Sequence, residues 1–426
     1  MAPDNRSLSY IGSRLGSIWL SSQGLLGAML RSTVVAGLVL ISSNSAYAQK
    51  TDAQNSDEPE VGGAQAALST TTESWRRSPE TKFAYKIGSD FDSFANEREQ
   101  SQFFGMSLMG DFRAQLLSNL TFRTKAGVSL SSGYAQSRFG DNVGASSVWL
   151  EEAYLNLRAL NSRLARFYFT AGALDQGDLN MKILVNGQPF PGVRQTLVLG
   201  QDADTKLKIW AQQTIPTSKT LSTKTVDAEV MPTFMSETIE LSLRPARSLK
   251  LTGQATHYAF NNLPSAVALQ SQIYGNTTTE TGPNTARFQY GFEGFGLGGS
   301  ARYDFMPSFG VQVGGYMLQN TQAPEGYRNS QYVNGGLIIG LENEIELNAG
   351  GAVFFVEDDV TPGFYNDSKI GHNNRQGYSA QVDVDFKRQR FKLRAAFTDA
   401  DVLNFNINQT RQQAFSIGFE TFYELF

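Results

Sequence analysis

Residues 378–387 read YSAQVDVDFK, and residues 391–398 read FKLRAAFT. In the first stretch Tyr378, Ala380, Val382, Val384 and Phe386 alternate with polar side chains. A period of two places alternate side chains on opposite faces of a β-strand, so one face is apolar and the other polar. The same alternation continues in residues 391–398 and recurs in 249–258 and 104–113. The chain is therefore predicted to be all-β.

The connections between these stretches separate a soluble sandwich from a membrane barrel. A sandwich has turns of mixed length at both ends, whereas short periplasmic turns of an outer-membrane barrel alternate with longer outer loops. The tight connections are predicted near Leu116–Asn119, Leu160–Arg163, Gln201–Asp204, Pro245–Arg247, Pro307–Ser308, Glu342–Glu344 and Arg388–Arg390. Between them lie longer polar stretches at 93–101, 132–145, 175–190, 215–234, 260–285, 321–330, 357–375 and 401–411. This alternation favours a transmembrane antiparallel β-barrel.

The segments between turns and loops predict about sixteen strands, with fourteen or eighteen as alternatives. An even number with both termini on the periplasmic side is typical of single-chain bacterial barrels. Residues 286–306 are interpreted as one strand with a bulge near its glycines. The predicted strands are 82–92, 102–115, 119–131, 146–159, 164–174, 191–200, 205–214, 235–244, 248–259, 286–306, 309–320, 331–341, 345–356, 376–387, 391–400 and 412–426.

Composition excludes several classes of protein. The 426 residues include no cysteine and only two histidines, so disulfide frameworks and Cys- or His-rich metal centres are excluded. The formal charge of −4 argues against a nucleic-acid binder held by phosphate contacts. Charged residues make up 18%, below the roughly 25% of soluble domains. Strands that present one face to lipid would account for that shortage. No cofactor or metal is expected.

The N-terminal region predicts export. Residues 34–41 (VVAGLVLI) follow Arg31 and precede Ala46-Tyr47-Ala48, which is the pattern of a secretory signal with a small-x-small cleavage site. Eight apolar residues are too few for a membrane anchor, which needs about 20. We expect a signal peptide over 1–48, with Met29 as a candidate true start. Residues 49–80 are polar and predict a disordered periplasmic leader, so the barrel comprises 81–426.

The end of the chain carries a resemblance. Residues 415–426 read FSIGFETFYELF and end on Phe426, which resembles the assembly signal of Gram-negative outer-membrane barrels. Glu424 stands where an aromatic residue is usual, and a β-bulge near Glu420–Thr421 would explain the shift. From about Phe83 to Phe426 the layout resembles a Gram-negative porin of the sixteen-stranded group, general or substrate-specific. The resemblance implies outer-membrane lipid and lipopolysaccharide as surroundings, the barrel-assembly machinery as a partner through Phe426, a homotrimer, and an outer loop folded into a water-filled pore.

Inward-facing charges would set the electrostatics of such a pore. The alternation predicts two opposed walls. The basic wall comprises Arg113, Arg123, Lys125, Arg158, Arg166, Lys206 and Lys208, and the acidic wall comprises Glu346, Asp383 and Asp385. The alternative is that these charges are solvated, pair with neighbours on adjacent strands and give the pore no ion selectivity.

The sequence also predicts roles for three of the loops. Loop 175–190 is the candidate constriction, with Asp175, Asp178 and Lys182 facing the basic wall; an ordinary surface loop is its alternative. Loop 260–285 is a candidate lid or a contact to a neighbouring barrel. Loop 357–367 (EDDVTPGFYND) lacks EF-hand spacing and is expected to be a solvated acidic loop.

The leading function is passive diffusion of small hydrophilic solutes through an outer-membrane pore that leans toward anions. The alternative is a specific channel for an acidic sugar or an organic acid. A barrel enzyme is less favoured, because His257 falls on the lipid-facing phase and His372 has no GxSxG partner. A purely structural barrel or adhesin also remains open.

Overall fold

The computed structural model describes residues 81–97, 100–135, 146–200, 204–217, 229–280, 282, 285–341 and 344–424. The signal peptide and leader predicted over 1–80 lie outside the described residues, and so does the terminal Phe426.

Sixteen antiparallel strands form one closed barrel, in which each strand pairs with its neighbours in sequence and β1 pairs with β16. The predicted fold class and the predicted strand number are confirmed. The strands are β1 Thr81–Asn96, β2 Gln100–Leu117, β3 Leu120–Ala135, β4 Ser146–Asn161, β5 Ala165–Asp175, β6 Pro189–Leu199, β7 Thr205–Thr214, β8 Thr233–Ala246, β9 Leu249–Asn261, β10 Phe292–Met306, β11 Phe309–Asn320, β12 Asn329–Leu341, β13 Ile345–Val356, β14 Arg375–Phe386, β15 Phe391–Val402 and β16 Gln412–Glu424.

Apolar side chains cover the outside of the barrel because the alternation places them on one face of every strand. Leu108, Leu130, Val313, Val333 and Val353 are each between 48% and 64% exposed. Aromatic pairs lie on the same face near the short turns, at the depth expected of an interfacial girdle. Examples are Tyr85–Tyr423 with ring centroids 5.2 Å apart and Phe386–Phe391 at 4.2 Å.

Two local predictions are wrong. β10 begins at Phe292, so residues 286–291 belong to the preceding loop, and the register shifts between Asp304 and Met306 instead of at the glycines. β16 pairs with both neighbours without a register shift through Glu420 and Thr421. No bulge is needed, because Glu424 lies opposite Ala84 and alternates normally with Tyr423.

One α-helix, α1 (Ser265–Ile273), interrupts the long loop between β9 and β10. It begins after Pro264, and the Glu229 carboxylate accepts hydrogen bonds from the Ser265 amide at 2.9 Å and the Ser265 hydroxyl at 2.7 Å. These bonds satisfy a donor of the first turn, which has no partner within the helix. None of the helices in the described part of the chain is long and apolar enough to cross a membrane.

Candidate pore and the loops that line it

Loop 3, residues 176–188 between β5 and β6, lies inside the barrel. The Ile183 amide donates a hydrogen bond to the Tyr316 hydroxyl on β11 at 3.1 Å, and the Gln254 side chain on β9 donates to the Leu179 carbonyl at 2.8 Å. A loop that leaves β5 reaches strands β9 and β11 by crossing the lumen. The face that carries Tyr316 and Gln254 is therefore the lumen face.

Cross-strand partners share a face, so the strand registers carry this assignment round the ring. Gln254 pairs with Glu240, Glu240 with Lys208, and Tyr316 with Tyr332. Continuing from strand to strand, the registers place all ten predicted wall residues on the lumen face: Arg113, Arg123, Lys125, Arg158, Arg166, Lys206, Lys208, Glu346, Asp383 and Asp385.

The basic residues of β2 and β3 are neutralised locally. Arg113 and Arg123 share the Asp111 carboxylate, at 3.1 Å and 2.9 Å. Arg123 also contacts Glu152 at 3.0 Å, and Lys125 contacts Glu151 at 3.1 Å. Register shifts beside Lys125 place Glu151 and Glu152 together near these cations. Three cations thus face three carboxylates.

The basic residues of β4, β5 and β7 have no such partners. Among the described residues, no carboxylate lies within 4.0 Å of Arg158, Arg166, Lys206 or Lys208. Arg158 donates to the Ser118 carbonyl at 2.8 Å, and the Lys208 ammonium lies 4.4 Å from the Trp210 ring centre. These four lumen-facing cations therefore form a group near the short turns of β4 to β7 that no carboxylate among the described residues pairs with.

The late wall is balanced and not acidic, which corrects the predicted pair of oppositely charged walls. Asp383 contacts Lys392 at 2.8 Å and Arg394 at 2.9 Å, both on the lumen face of β15. Glu346 contacts Lys387 at 2.6 Å. Long cations on the adjacent strand reach these carboxylates, so the field across the pore is weaker than two unlike walls would produce.

The charged residues of the candidate constriction have separate positions. The Asp178 carboxylate forms an ion pair with Arg194 on β6, and Arg194 also donates to the Asp175 carbonyl at 3.0 Å. The Asp175 carboxylate accepts from the Gly177 amide at 2.9 Å, while Lys182 is exposed. Arg194, which the sequence reasoning missed, therefore anchors the start of loop 3 to the wall. Its lumen-facing phase in β6 was the available signal.

Loop 3 joins two other loops in an apolar cluster inside the barrel. Loop 5 comprises residues 262–291 with α1, and loop 7 comprises residues 357–374. We call their buried apolar side chains the loop core: Leu179, Met181, Ile183, Leu184, Val185, Val267, Val360, Tyr365 and Ile370. They pack against lumen-facing side chains of β6 to β15, among them Phe190, Phe234, Phe260, Phe292, Leu318, Phe354 and Ala400.

Glycines on β10 make room for loop 3. A Cβ on Gly296 would lie 2.7 Å from the Met181 sulfur and 2.7 Å from Leu318 Cδ2, and one on Gly298 would lie 3.5 Å from the Met181 methyl group. Met181 thus occupies space that side chains at these two positions would fill. The Gly-rich run 291–299 serves this close approach.

Loop 7 is buried, so the prediction of a solvated acidic loop is wrong. Asp359 is only 1% exposed, and its Oδ1 accepts from the Thr277 amide at 2.9 Å and from Asn276 at 3.3 Å. Asn276 also donates to the carbonyls of Asp358 at 2.8 Å and Thr361 at 3.0 Å. These bonds tie loop 7 to loop 5 through amide groups. Loop 7 reaches loop 3 as well, because the Thr361 hydroxyl donates to the Ile183 carbonyl at 2.8 Å.

Neither histidine hydrogen-bonds a serine hydroxyl in the parts of the chain that the structure describes. His257 lies on the outer face between Glu237 at 4.0 Å and Glu293 at 3.5 Å. His372 of loop 7 stacks on Tyr274 of loop 5, with ring centres 4.0 Å apart, and the His372 Nδ1 lies 2.8 Å from Asn366 Oδ1.

Comparison with known proteins finds likeness in architecture. OprB of Pseudomonas putida at high pH is 10% identical, with a TM-score of 0.49 over 81% of this chain and 94% of that one. OmpF of Salmonella typhi in complex with daunomycin is 9% identical, with a TM-score of 0.47 over 81% and 98%. The outer membrane channel DcaP of Acinetobacter baumannii is 11% identical, with a TM-score of 0.45 over 81% and 97%. No protein-family model and no curated protein matches the chain.

Proposed function

We propose that the protein is an outer-membrane channel for passive diffusion of small hydrophilic solutes, with a preference for anions. The observation that carries this proposal is the presence of water-accessible charged side chains on the inside of a barrel whose outside is apolar. The Arg113 and Arg123 side chains are 43% and 22% exposed although both point into the lumen. A sixteen-stranded barrel is wide enough to enclose water.

The diffusion path follows from where the loops lie. The loop core packs against β6 to β15, and none of the described residues of β1 to β4 belongs to it. The charged cluster on β2 to β4 therefore borders the free part of the lumen. Solutes that pass between this wall and loop 3 meet Arg113, Arg123 and Lys125 with their carboxylate partners, and then the unpaired cations near the turns of β4 to β7.

The anion preference rests on those unpaired cations. Arg158, Arg166, Lys206 and Lys208 bring four positive charges to this part of the lumen, and Glu240, the cross-strand partner of Lys208, brings one negative charge. A local excess of positive charge in a narrow, low-dielectric passage raises the concentration of anions there. The effect should weaken at high salt, because the Debye length falls from about 10 Å at 0.1 M to about 3 Å at 1 M.

Reconstitution of the purified protein into planar lipid bilayers tests the proposal. We expect stepwise conductance, and a reversal potential in a KCl gradient that indicates anion preference. Absence of conductance would contradict any channel function. A cation-selective current would contradict the role assigned to the unpaired cations while leaving the channel itself in place.

A second candidate is a specific channel for an acidic sugar or organic acid. The observation in its favour is the loop core, which fills part of the lumen with packed side chains and leaves less room than an open barrel would. Saturable block of the ionic current by one carboxylated solute would favour this candidate. A current that falls only in proportion to solute size would favour general diffusion.

The surroundings of the barrel belong to the same proposal. We place both termini on the periplasmic side, with the short turns, and the loops at the outer leaflet beside lipopolysaccharide. Assembly through the C-terminal residue and association into a homotrimer follow from the porin resemblance, and crosslinking of the reconstituted protein tests the oligomer.

A further inference from the structure

Two titratable side chains of loop 7, the buried Asp359 and the half-buried His372, lie where this loop packs against loop 5. The first is Asp359, whose Oδ2 has no hydrogen-bond partner among the described residues. Its neighbours across the contact, Asn276 and Thr277, are uncharged. Burial, with a smaller contribution from the nearby Asp358 carboxylate, outweighs the Thr277 and Asn276 hydrogen bonds and raises the pKa of Asp359 to about 6.

The second is His372, at the other end of the same loop. Its ring is sandwiched between the loops by the stack on Tyr274, and the backbone beside it is tied down because the Asn373 amide donates to the Tyr274 carbonyl at 3.0 Å. Desolvation in this contact lowers the pKa of His372 to about 4, against the opposing effect of a hydrogen bond to the Gly363 backbone, and the positive charge of Arg375 acts in the same direction as desolvation.

The charged groups near Asp359 and His372 do not neutralise either side chain. Around Asp359 they are Asp358 and Glu357 of the same loop, with Glu325 and Arg328 on loop 321–328, whose Tyr327 carbonyl accepts from the Asp359 amide at 2.8 Å. Around His372 they are Asp367 and Lys369 of the same loop and Arg375 of β14. In the described part of the chain, no ion pair joins Asp359 or His372 to any of these groups.

We propose that Asp359 and His372 are two opposed proton switches on the docking of loop 7 against loop 5, and that each cancels the effect of the other. Docked means packed as in this structure, and undocked means that loop 7 leaves the contact and both side chains reach water. The contact holds a carboxylic acid more readily than a carboxylate, and a neutral imidazole more readily than an imidazolium. Acidification protonates both side chains, which favours docking through Asp359 and opposes docking through His372.

The signs follow from linkage between protonation and docking. The pKa of Asp359 rises from 3.8 to about 6 on docking, so its contribution is fully present below 3.8 and is lost as the pH rises through 6. The pKa of His372 falls from 6.5 to about 4, so its contribution is present above 6.5 and is lost as the pH falls through 4. The two windows overlap almost completely. Between pH 7.5 and 4.5 each group alone changes the docking equilibrium on the order of 10- to 100-fold, in opposite directions.

Thiol labelling measures docking directly. The chain has no cysteine, so Ser271→Cys in α1 introduces a single reporter at a side chain that is 0% exposed and packs beneath loop 7, where its Oγ accepts from the Phe364 amide at 3.2 Å. Labelling by an uncharged maleimide in proteoliposomes is compared at pH 7.5 and 4.5, relative to a second protein with Glu325→Cys on an exposed loop. The ratio removes the effect of pH on thiol reactivity itself.

Three variants in the reporter background separate the switches. Asp359→Asn keeps the oxygen that accepts from Thr277 and leaves only the histidine switch. His372→Asn leaves only the carboxyl switch, and asparagine tolerates the left-handed backbone of this position (φ 67°). The third variant combines both changes. Glu344→Gln, at an exposed carboxyl in the short turn between β12 and β13, is the matched control.

We expect the labelling ratio of the unaltered loop to change by less than about 10-fold between the two pH values. Asp359→Asn should label faster in acid, His372→Asn should label faster at neutral pH, and the double variant should again be insensitive. Two single variants that respond in the same direction, or that both remain insensitive, would overturn the proposal. So would a wild-type response above 10-fold. A misfolded variant is recognised because it labels fast at both pH values.

Channel conductance gives a second readout, which rests on the proposed function. Undocking of loop 7 opens the loop end of the lumen, so conductance relative to that of the bulk solution should follow the labelling ratio in each variant. A chain that conducts no ions but shows the opposed labelling responses would refute the channel and retain the switches. A chain that conducts ions but labels with the same ratio at both pH values in every variant would retain the channel and refute the switches.

Discussion

The amide of Ile183 donates its hydrogen bond to the hydroxyl of Tyr316, 133 residues away on the opposite side of the lumen. This bond fixes the middle of loop 3 against β11. The Tyr316 ring is stacked on Tyr332 of β12, with ring centres 5.2 Å apart, so the acceptor is held on a rigid support. Loop 3 is thus positioned by a wall to which it is not adjacent in sequence.

Removing that acceptor should loosen loop 3. Tyr316→Phe leaves the buried Ile183 amide without a partner, which costs about 1–3 kcal/mol. We expect more frequent transitions between conductance levels in single-channel recordings, with an intact barrel. Tyr332→Phe is the matched control, because it removes a hydroxyl from the stacked ring that accepts no described hydrogen bond. Equal noise in both variants would refute the anchoring role of Tyr316.

The fit between Met181 and the β10 glycines predicts a size-dependent effect. Gly296→Leu should displace Met181, since even a Cβ there lies 2.7 Å from the Met181 sulfur. Overpacking of this kind costs about 1–3 kcal/mol. We expect faster proteolytic cleavage of loop 3 and altered conductance.

Combining Gly296→Leu with Met181→Ala tests the same contact from the other side. The shortened side chain leaves room for the leucine, so the double variant should regain a loop 3 as protected as in the wild type. Gly253→Ala is the control, because a Cβ at this lipid-facing position meets nothing within 4 Å. If the effects of Gly296→Leu and Met181→Ala on the cleavage rate were additive in the double variant, Met181 and Gly296 would not interact.

The unpaired cations predict the selectivity of the channel. Arg166→Gln with Lys208→Gln removes two of the four positive charges on β4, β5 and β7 that have no carboxylate within 4.0 Å among the described residues. We expect the reversal potential in a KCl gradient to move toward the cation side. Arg163→Gln, in the exposed turn between β4 and β5, removes a charge at the same end of the barrel and should leave the potential unchanged.

The shared carboxylate on β2 predicts a change in the other direction. Asp111→Asn leaves Arg113 and Arg123 without the anion that both contact. The lumen gains one unit of positive charge beside the free passage, so anion preference should increase, and more strongly at 0.1 M salt than at 1 M. Asp401→Asn at the outer end of β15 provides the comparison. A variant that excludes anions better than the wild type would contradict the assigned path.

The alternation of polar and apolar residues was sufficient to predict the barrel, but it did not predict the contacts inside the lumen. Alternation predicts each lipid-facing side chain because lipid contact imposes a period of two, and this is why the strand number and the lumen phase of residues such as Asp383 could be obtained from sequence. The partners of Asp383 could not, because Lys392 and Arg394 reach it through a register that the pattern does not specify.

The loops show the limit most clearly. Nothing periodic in EDDVTPGFYND indicates that Asp359 is buried, since its burial depends on Asn276 and Thr277, more than 80 residues earlier in the chain. Apolar residues in a loop otherwise rich in Asn and Asp, such as Val360 and Tyr365, were the available signal. They mark loop 7 as a segment that packs against something, without naming the partner.

The loop core makes the stability of this chain depend on contacts between distant parts of the sequence. The bond between Thr361 and Ile183 joins residues that are 178 apart. Contacts of such long sequence separation require the closure of large loops, which costs conformational entropy before the contacts contribute any stability. Phe234, Phe260 and Phe292 face the lumen and are covered by the loop core. A change that displaces one of the three loops therefore uncovers apolar surface on the inside of the wall as well as on the other two loops.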